Sequence, residues 1–389
     1  MIRQVLLVAV LAFWALPAST ATGQEPSVAS RQSFDQLLQA AEKAREENQD
    51  DQAIQLFRRA LKEQPESEQA LWYLSTLLYE SQQYRESRDL LRQFVTLRPD
   101  AGPAWGLLGI SEYQLREYPR ALEHLQRATA QGVGNRRELA QSVSYDTAVL
   151  LTLFERYDDS LDVLQKMAAS GSDDPTLTGP AGLAGLRLPL LPAEMPPDRR
   201  ELVDFAGRAV LAVQTQHYQQ ADSEFKRLVS AYPNEPGVHF LYGAYLLELH
   251  PNDAVPELER ELEISPAHVL ARVRLAQQLI AQGEFDRALT LAQQAIKLDP
   301  RRASAHMLAG EALVGKGSTG DGIKELEIAR DGDPSVKRIH WDLVRAYAAA
   351  GRQQDADREK QEMDKLYHGS SLSGLQPSGD GPRDLSQPQ

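Results

Sequence analysis

The chain contains no cysteine. Disulfide staples, thiolate nucleophiles and cysteine-based metal sites are excluded, and so is lipidation of an N-terminal cysteine. Stability must come from apolar packing instead. Basic residues are outnumbered as well: 42 Lys and Arg face 55 Asp and Glu, for a formal net charge of −13. No basic footprint able to neutralise phosphates dominates, so nucleic acid is not an expected partner, and anionic lipid is weakly disfavoured. Long apolar runs are missing apart from Val5 to Leu16, which follows Arg3 and precedes Pro17 and small residues. That run is shorter than the ~20 residues a membrane span needs. Residues 1–23 therefore read as a cleavable secretory signal, cut after Ala21 or Gly23, with no stable membrane insertion afterwards. The expected address is the periplasm or the exterior. The motifs HExxH and G-x-S-x-G and an EF-hand loop are also missing, so neither an enzyme nor a cofactor is expected.

What the chain does have is a period. Ala254, Ala288, Gly322 and Ala356 are each 34 residues apart, as are Ala53, Ser87 and Ala121. Prolines keep the same interval, from Pro65 to Pro99 and from Pro266 to Pro300 to Pro334. Self-similarity at this length marks stacked helical hairpins that bury their apolar faces only against their neighbours. The unit 269–302 is the clearest. Leu275, Ala276, Leu279 and Ile280 form one helical stripe, Gly283 ends it, and Ala288, Leu291, Ala292, Ala295 and Ile296 form a second before Pro300. The small residues Ala276, Ala288 and Ala295 are read as the points of close backbone approach.

These residues resemble a tetratricopeptide repeat. Trp105, Leu108, Gly109, Ala121, Leu125 and Ala128 fit the family's pattern in the third unit; Ala53, Phe57, Ala60 and Pro65 fit it in the first; Ala309, Gly310, Leu326, Ala329 and Pro334 fit it in the eighth. Nine units can be drawn, near 34–67, 68–101, 102–135, 141–174, 202–235, 235–268, 269–302, 303–336 and 337–370. The resemblance implies an all-α, right-handed solenoid of antiparallel helix-turn-helix repeats.

Departures from the pattern suggest the domain organisation. The fourth unit has Thr147 and Ala148 in place of Leu-Gly, and Ser160 in place of Ala. The sixth is one residue short, with Pro251 placed in the turn between its helices. Between Ser160 and Ala221 the interval stretches to 61 through a Gly/Pro-rich segment with six prolines, from Pro175 to Pro197, through which no long helix can run. The expected organisation is an N-terminal array over 34–170, an insert over 171–200, a C-terminal array over 202–367 and a disordered tail over 368–389. The insert's Leu183, Leu186, Leu188, Leu190 and Leu191 suit a packed linker, a groove plug or a binding loop.

Two constellations imitate chemistry. Gly310 to Ser318 nearly spells a phosphate-binding loop, but Gly317 stands where Ser or Thr must follow Lys316. His239, His306 and His340 recur at one position early in the first helix of their units, where the family usually has an aromatic, and are read as packing residues rather than ligands.

In this family the first helix of each hairpin lines the concave surface. The matching positions here are Trp72, Thr76, Tyr79, Ile110, Tyr113, Phe240, Leu247, Met307, Glu311, Trp341 and Arg345. This lining of aromatic and apolar residues with scattered charge suits a protein or peptide partner in the cell envelope. The Lys and Asn of the family's carboxylate clamp are not matched: the corresponding positions hold Val273, Gln277, Leu308, Arg338 and Asp342. The expected function is a non-catalytic, exported scaffold or adaptor. The alternatives are an accessory in polysaccharide export or outer-membrane assembly, and a non-catalytic subunit of an enzyme complex.

Overall fold

A computed structural model describes residues 28–169 and 174–368. The signal peptide expected over 1–23 lies outside the described residues, as does the C-terminal tail apart from His368, which closes the last helix. The described residues form nineteen α-helices and no strand. Contacts divide the chain into two compact units, Met1–Leu228 and Val229–Gln389.

In the first unit the hairpins are α1 (Val28–Glu46) with α2 (Asp50–Glu63), α3 (Glu68–Glu80) with α4 (Tyr84–Leu97), α5 (Gly102–Gln114) with α6 (Tyr118–Gln131), and α7 (Arg137–Leu153) with α8 (Tyr157–Ala169). A short helix α9 (Thr178–Gly185) follows, then α10 (Arg200–Gln214) and α11 (Tyr218–Ala231), within which the division falls. In the second unit they are α12 (Val238–Leu249) with α13 (Pro251–Ile264), α14 (Val269–Ala281) with α15 (Phe285–Leu298), α16 (Ala303–Gly315) with α17 (Thr319–Gly332), and α18 (Lys337–Ala349) with α19 (Gln353–His368). The first helix of each hairpin is its A helix, the second its B helix. Within each unit, A helices also touch the next A helix, as α3, α5 and α7 do, and as α12, α14, α16 and α18 do.

The recurring small residue sits where helix A meets helix B. Ala53, Ser87, Ala121, Ser160, Ala221, Ala254 and Ala288 are all fully buried. Where serine replaces alanine, its hydroxyl is satisfied on the facing helix: Ser87 donates to the Ser75 carbonyl and Ser160 to the Ala148 carbonyl, each at 2.8 Å. Gly310 and Gly322 go further. A Cβ on Gly310 would lie 2.6 Å from Leu326 Cγ and 2.8 Å from the Gly322 carbonyl oxygen. In the near phosphate-binding loop Gly310 therefore serves helix crossing, Gly315 packs on Phe285 and Gly317 takes a left-handed turn conformation, and no strand precedes them among the described residues.

The turn inside each hairpin uses one left-handed residue. In the first unit these are Asn48, Gln82, Arg116, Glu155 and Gln216; in the second they are Gly283, Gly317 and Gly351. This residue lets the chain close a six-to-one backbone bond over the end of helix A, as from Glu284 N–H to the Leu279 carbonyl at 2.8 Å. The α12–α13 hairpin lacks it. His250 alone joins the two helices, with an extended φ of −137°. Pro251 is not in the turn, as the sequence suggested, but is the first residue of α13, where its missing N–H leaves nothing unsatisfied. This accounts for the one-residue deletion.

A second recurring device joins hairpins. The indole N–H of Trp105 donates to the Pro99 carbonyl at 2.9 Å. At the same offset of six residues, Nε2 of His239, His306 and His340 lies 3.0, 3.1 and 2.8 Å from the carbonyls of Pro233, Pro300 and Pro334. Each histidine's Nδ1 meets a helix-B carboxylate, Glu257, Glu325 or Glu359. These histidines are buried hydrogen-bonding links, which explains why a polar ring replaces an aromatic there.

The insert packs inside the first unit. Leu177, Leu183, Leu186 and Leu191 are buried, while Leu188 and Leu190 are half-buried. Helix α9 lies so close to α10 that a Cβ on Gly182 would stand 2.0 Å from the Val203 carbonyl oxygen, and one on Gly207 would stand 2.0 Å from that of Thr178. Only glycine allows this approach.

Two glycine substitutions separate turn strain from crowding. At Gly283 nothing lies within 4 Å of an added Cβ, so Gly283→Ala costs only the left-handed backbone term, about 1–2 kcal/mol. Gly182→Ala drives a carbon into a backbone oxygen and should cost at least as much by overpacking, about 1–3 kcal/mol. Urea unfolding of both variants checks the sizes. Wild-type stability in Gly182→Ala would contradict the close approach of α9 to α10.

Candidate interaction face

The A helices of the first unit bring several of the sequence-selected residues together. Trp72 and Tyr79 lie on α3, Ile110 and Tyr113 on α5, and all pack on one apolar cluster that includes Val143 and Leu150 of α7. Trp72 is half-buried, with its ring 5.5 Å from Phe94 and the Arg136 guanidinium 5.3 Å from its centroid. Burial holds Arg136 below the usual arginine range. Tyr79 and Tyr113 are each propped by the tyrosine that opens the following B helix. Tyr79 meets Tyr84 and Tyr113 meets Tyr118, both with ring centroids 5.7 Å apart. Thr76 is half-buried and donates to the Tyr73 carbonyl. Ile110 is fully in the core.

In the second unit the selected residues separate into two groups. Phe240 and Met307 are buried, and the Phe240 ring lies tilted against His268 with centroids 4.5 Å apart. Leu247 is half-buried. Glu311 is engaged by Arg338 at 2.6 Å. Trp341 and Arg345 are open to solvent, Trp341 being 47% exposed. Beside them Asp342 is pushed up to about 8, first by burial and then by the neighbouring Glu311 carboxyl, against the pull of Arg338 and Arg345.

Sequence reasoning missed the most unusual group on the first unit's A-helix face. Asp146 of α7 is 8% exposed and makes no hydrogen bond or ion pair among the described residues. Burial pushes its carboxyl from 3.8 to about 7. Its charge is felt by tyrosines on three A helices. Tyr79 is pushed up to about 12 by burial, then by Tyr84 and Asp146; Tyr113 is pushed up by burial, then by Asp146, Tyr145, Tyr118 and Glu194; Tyr145 is pushed up by burial, then by Asp146 and Asp174. Asp174 and Glu194 come from the insert, which thereby edges this face; Glu194 also pairs with Arg116 at 3.7 Å. With units starting at 68, 102 and 141, Asp146 takes the place of Tyr73 and Leu107. A charge at a position otherwise aromatic or apolar was the available signal, hidden by the irregular length of the fourth unit.

Among the described residues, no three His, Asp or Glu side chains gather as a metal site, and no helix is long and apolar enough to cross a membrane.

The chain carries tetratricopeptide repeats: the sequence profile of that repeat matches residues 38–102, 75–135, 107–175 and 273–321. No curated protein matches the chain. Solved structures similar to part of it include a MamA RS-1 ArsTM double mutant, at 20% identity over 45% of this chain and 98% of that one, with a TM-score of 0.42. MamA 41-end from Desulfovibrio magneticus RS-1 gives 20% identity over 45% and 98%, with a TM-score of 0.40. A crystal structure of MamA gives 19% identity over 42% and 97%, also with a TM-score of 0.40.

The position of Asp146 sets a pH dependence. Its folded-state pKa is raised, so the stability linked to its proton is complete below about pH 4 and is lost as pH rises through about 7. Asp146→Asn keeps the neutral form at every pH. The variant's advantage over the wild type should open between pH 4 and 7 and level off above, reaching at most about 4 kcal/mol at roughly 1.4 kcal/mol per unit. Thermal melts across this range check it; a difference independent of pH would contradict the burial cost.

Proposed function

We propose that the chain is a non-catalytic, exported interaction scaffold that holds a segment of a partner protein against the A-helix face of its hairpins. The observation that carries this reading is the half-burial of Trp72, Tyr79 and Tyr113. Core packing anchors the body of each ring while part of it stays open. A side chain already immobilised in the free protein loses little further entropy on binding, and large aromatics are the commonest interface anchors. In the second unit Trp341 and Arg345 of α18 add an exposed aromatic and an exposed cation. Tetratricopeptide repeats are a protein-interaction architecture, which supports the scaffold reading. Export rests on the composition of residues 1–23, with one Arg, a short apolar run and small residues at the expected cleavage points.

Crosslinking in the native cell, followed by mass spectrometry, tests the docking face. Replacing Trp72 and Tyr79 by Ala should abolish capture of the dominant partner, since truncating one hot-spot residue costs about 2 kcal/mol or more, roughly thirtyfold in affinity. Capture that survives both substitutions, with the variant still folded by circular dichroism, would remove the partner from this face. Export has its own readout. N-terminal sequencing should begin at Thr22 or Gln24; a protein that begins at Met1 and stays in the cytoplasm would refute it.

A further inference from the structure

Five carboxylates are buried among the described residues, and four of them are answered. Glu112 meets Arg92 at 2.7 Å and His124 at 2.6 Å. Glu224 meets Arg208 and Arg227 at 3.2 and 3.1 Å. Glu261 accepts from the backbone N–H groups of Gly237 and Phe240, at 3.0 and 3.2 Å. Glu359 meets His340 and Arg330 at 2.6 and 3.0 Å. Asp146 is the fifth, and nothing among the described residues answers it. A buried carboxylate without a partner is unfavourable, so the fold elsewhere supplies a counter-charge or backbone N–H donors each time.

The surroundings of Asp146 are of one electrostatic character. Tyr79 of α3 and Tyr113 of α5 pack on the cluster that holds Val143 and Leu150, one turn either side of Asp146 on α7. Tyr145 is its chain neighbour, and Tyr118 at the start of α6 lies tilted against Tyr113. Aromatic faces attract cations. The insert adds Asp174 beside Tyr145 and Glu194 beside Tyr113, and Glu80 lies beside Tyr79. The arginines of the adjoining segments are engaged elsewhere: Arg116 with Glu194, Arg136 with the ring of Trp72, and Arg187 with Asp158 and the ring of Tyr157. Negative charge and π density therefore converge where the protein supplies no cation of its own. An anionic ligand is excluded by like charge, and a metal ion would find a single carboxylate.

We propose that the tyrosine-lined site around Asp146 binds a lysine or arginine side chain presented by the docked segment of the partner protein. This rests on the reading that partners dock on the A-helix face, and specifies the chemistry they bring. The ammonium or guanidinium would pair with the Asp146 carboxylate, with Tyr79, Tyr113 and Tyr145 around it. The low local dielectric makes such a pair strong once both charges are enclosed. Since the carboxyl must lose its proton to accept the cation, binding releases a proton below neutrality and tightens as pH rises.

Panning a random dodecapeptide phage library on the full chain and on Asp146→Asn tests this. The wild type should enrich peptides that share a Lys or Arg among apolar residues, and the variant should lose the basic preference while remaining folded. A synthetic peptide from the wild-type pool should bind at least tenfold more tightly than its acetyl-lysine or citrulline counterpart, and Asp146→Asn should abolish that difference. The charged peptide's affinity should rise between pH 6 and 8 while the neutral one's stays level. Wild-type pools without a shared basic residue, or equal binding of charged and neutral peptides, would overturn the cation site. If those peptides are still lost in the Trp72→Ala, Tyr79→Ala variant, docking on the A-helix face survives that result. Enrichment by neither protein would overturn both.

Discussion

How closely the two helices of a hairpin can approach governs the rest of this structure. A single small residue on helix B sets that distance in every repeat, and where the approach is tightest both sides are glycine, as at Gly310 and Gly322. Because this contact recurs at a fixed interval, each hairpin offers its neighbour the same surface. The A helices then touch one another in succession within each unit. A face shared by consecutive A helices follows from the packing before any side chain on it is considered. The same need for close approach explains the otherwise fragile composition of α9 and α10, where glycines meet backbone oxygens.

Most of this was legible in the residues. The interval, the stripes around Leu275 and Ala288, and the stop at Pro300 depend on local spacing, which a linear chain displays directly. Gly283 could be recognised as a left-handed turn residue because glycine favours that conformation. Its counterparts Gln82, Arg116 and Glu155 could not, since nothing in their chemistry announces a positive φ and the turn imposes it. The role of His306 was legible only in part. Its position and burial followed from the repeat, whereas its contact with the Pro300 carbonyl depends on how two hairpins dock.

The interaction face shows the same division. Trp72, Tyr79 and Tyr113 follow from register with the repeat, and the structure places them on adjoining helices. Ile110, Phe240 and Met307 share that register but turn out to be buried, because apolar side chains at one position can serve either the core or the surface. Asp146 escaped notice for a physical reason. A carboxylate on a helix is normally solvated, and only the three-dimensional crowding by tyrosines and the returning insert makes this one exceptional.

The bond from an aromatic or imidazole ring to the proline carbonyl six residues earlier also bears on where the chain can depart from its regular interval. It clamps the junction between hairpins at Pro99–Trp105, Pro233–His239, Pro300–His306 and Pro334–His340. An added residue between such a pair would pull donor from acceptor and leave the buried ring nitrogen without its partner. The two junctions that exceed the 34-residue interval, before α7 and between α8 and α10, show no such clamp among the described residues. The insert that brings Asp174 and Glu194 to the tyrosines thus occupies a joint whose length no such bond fixes.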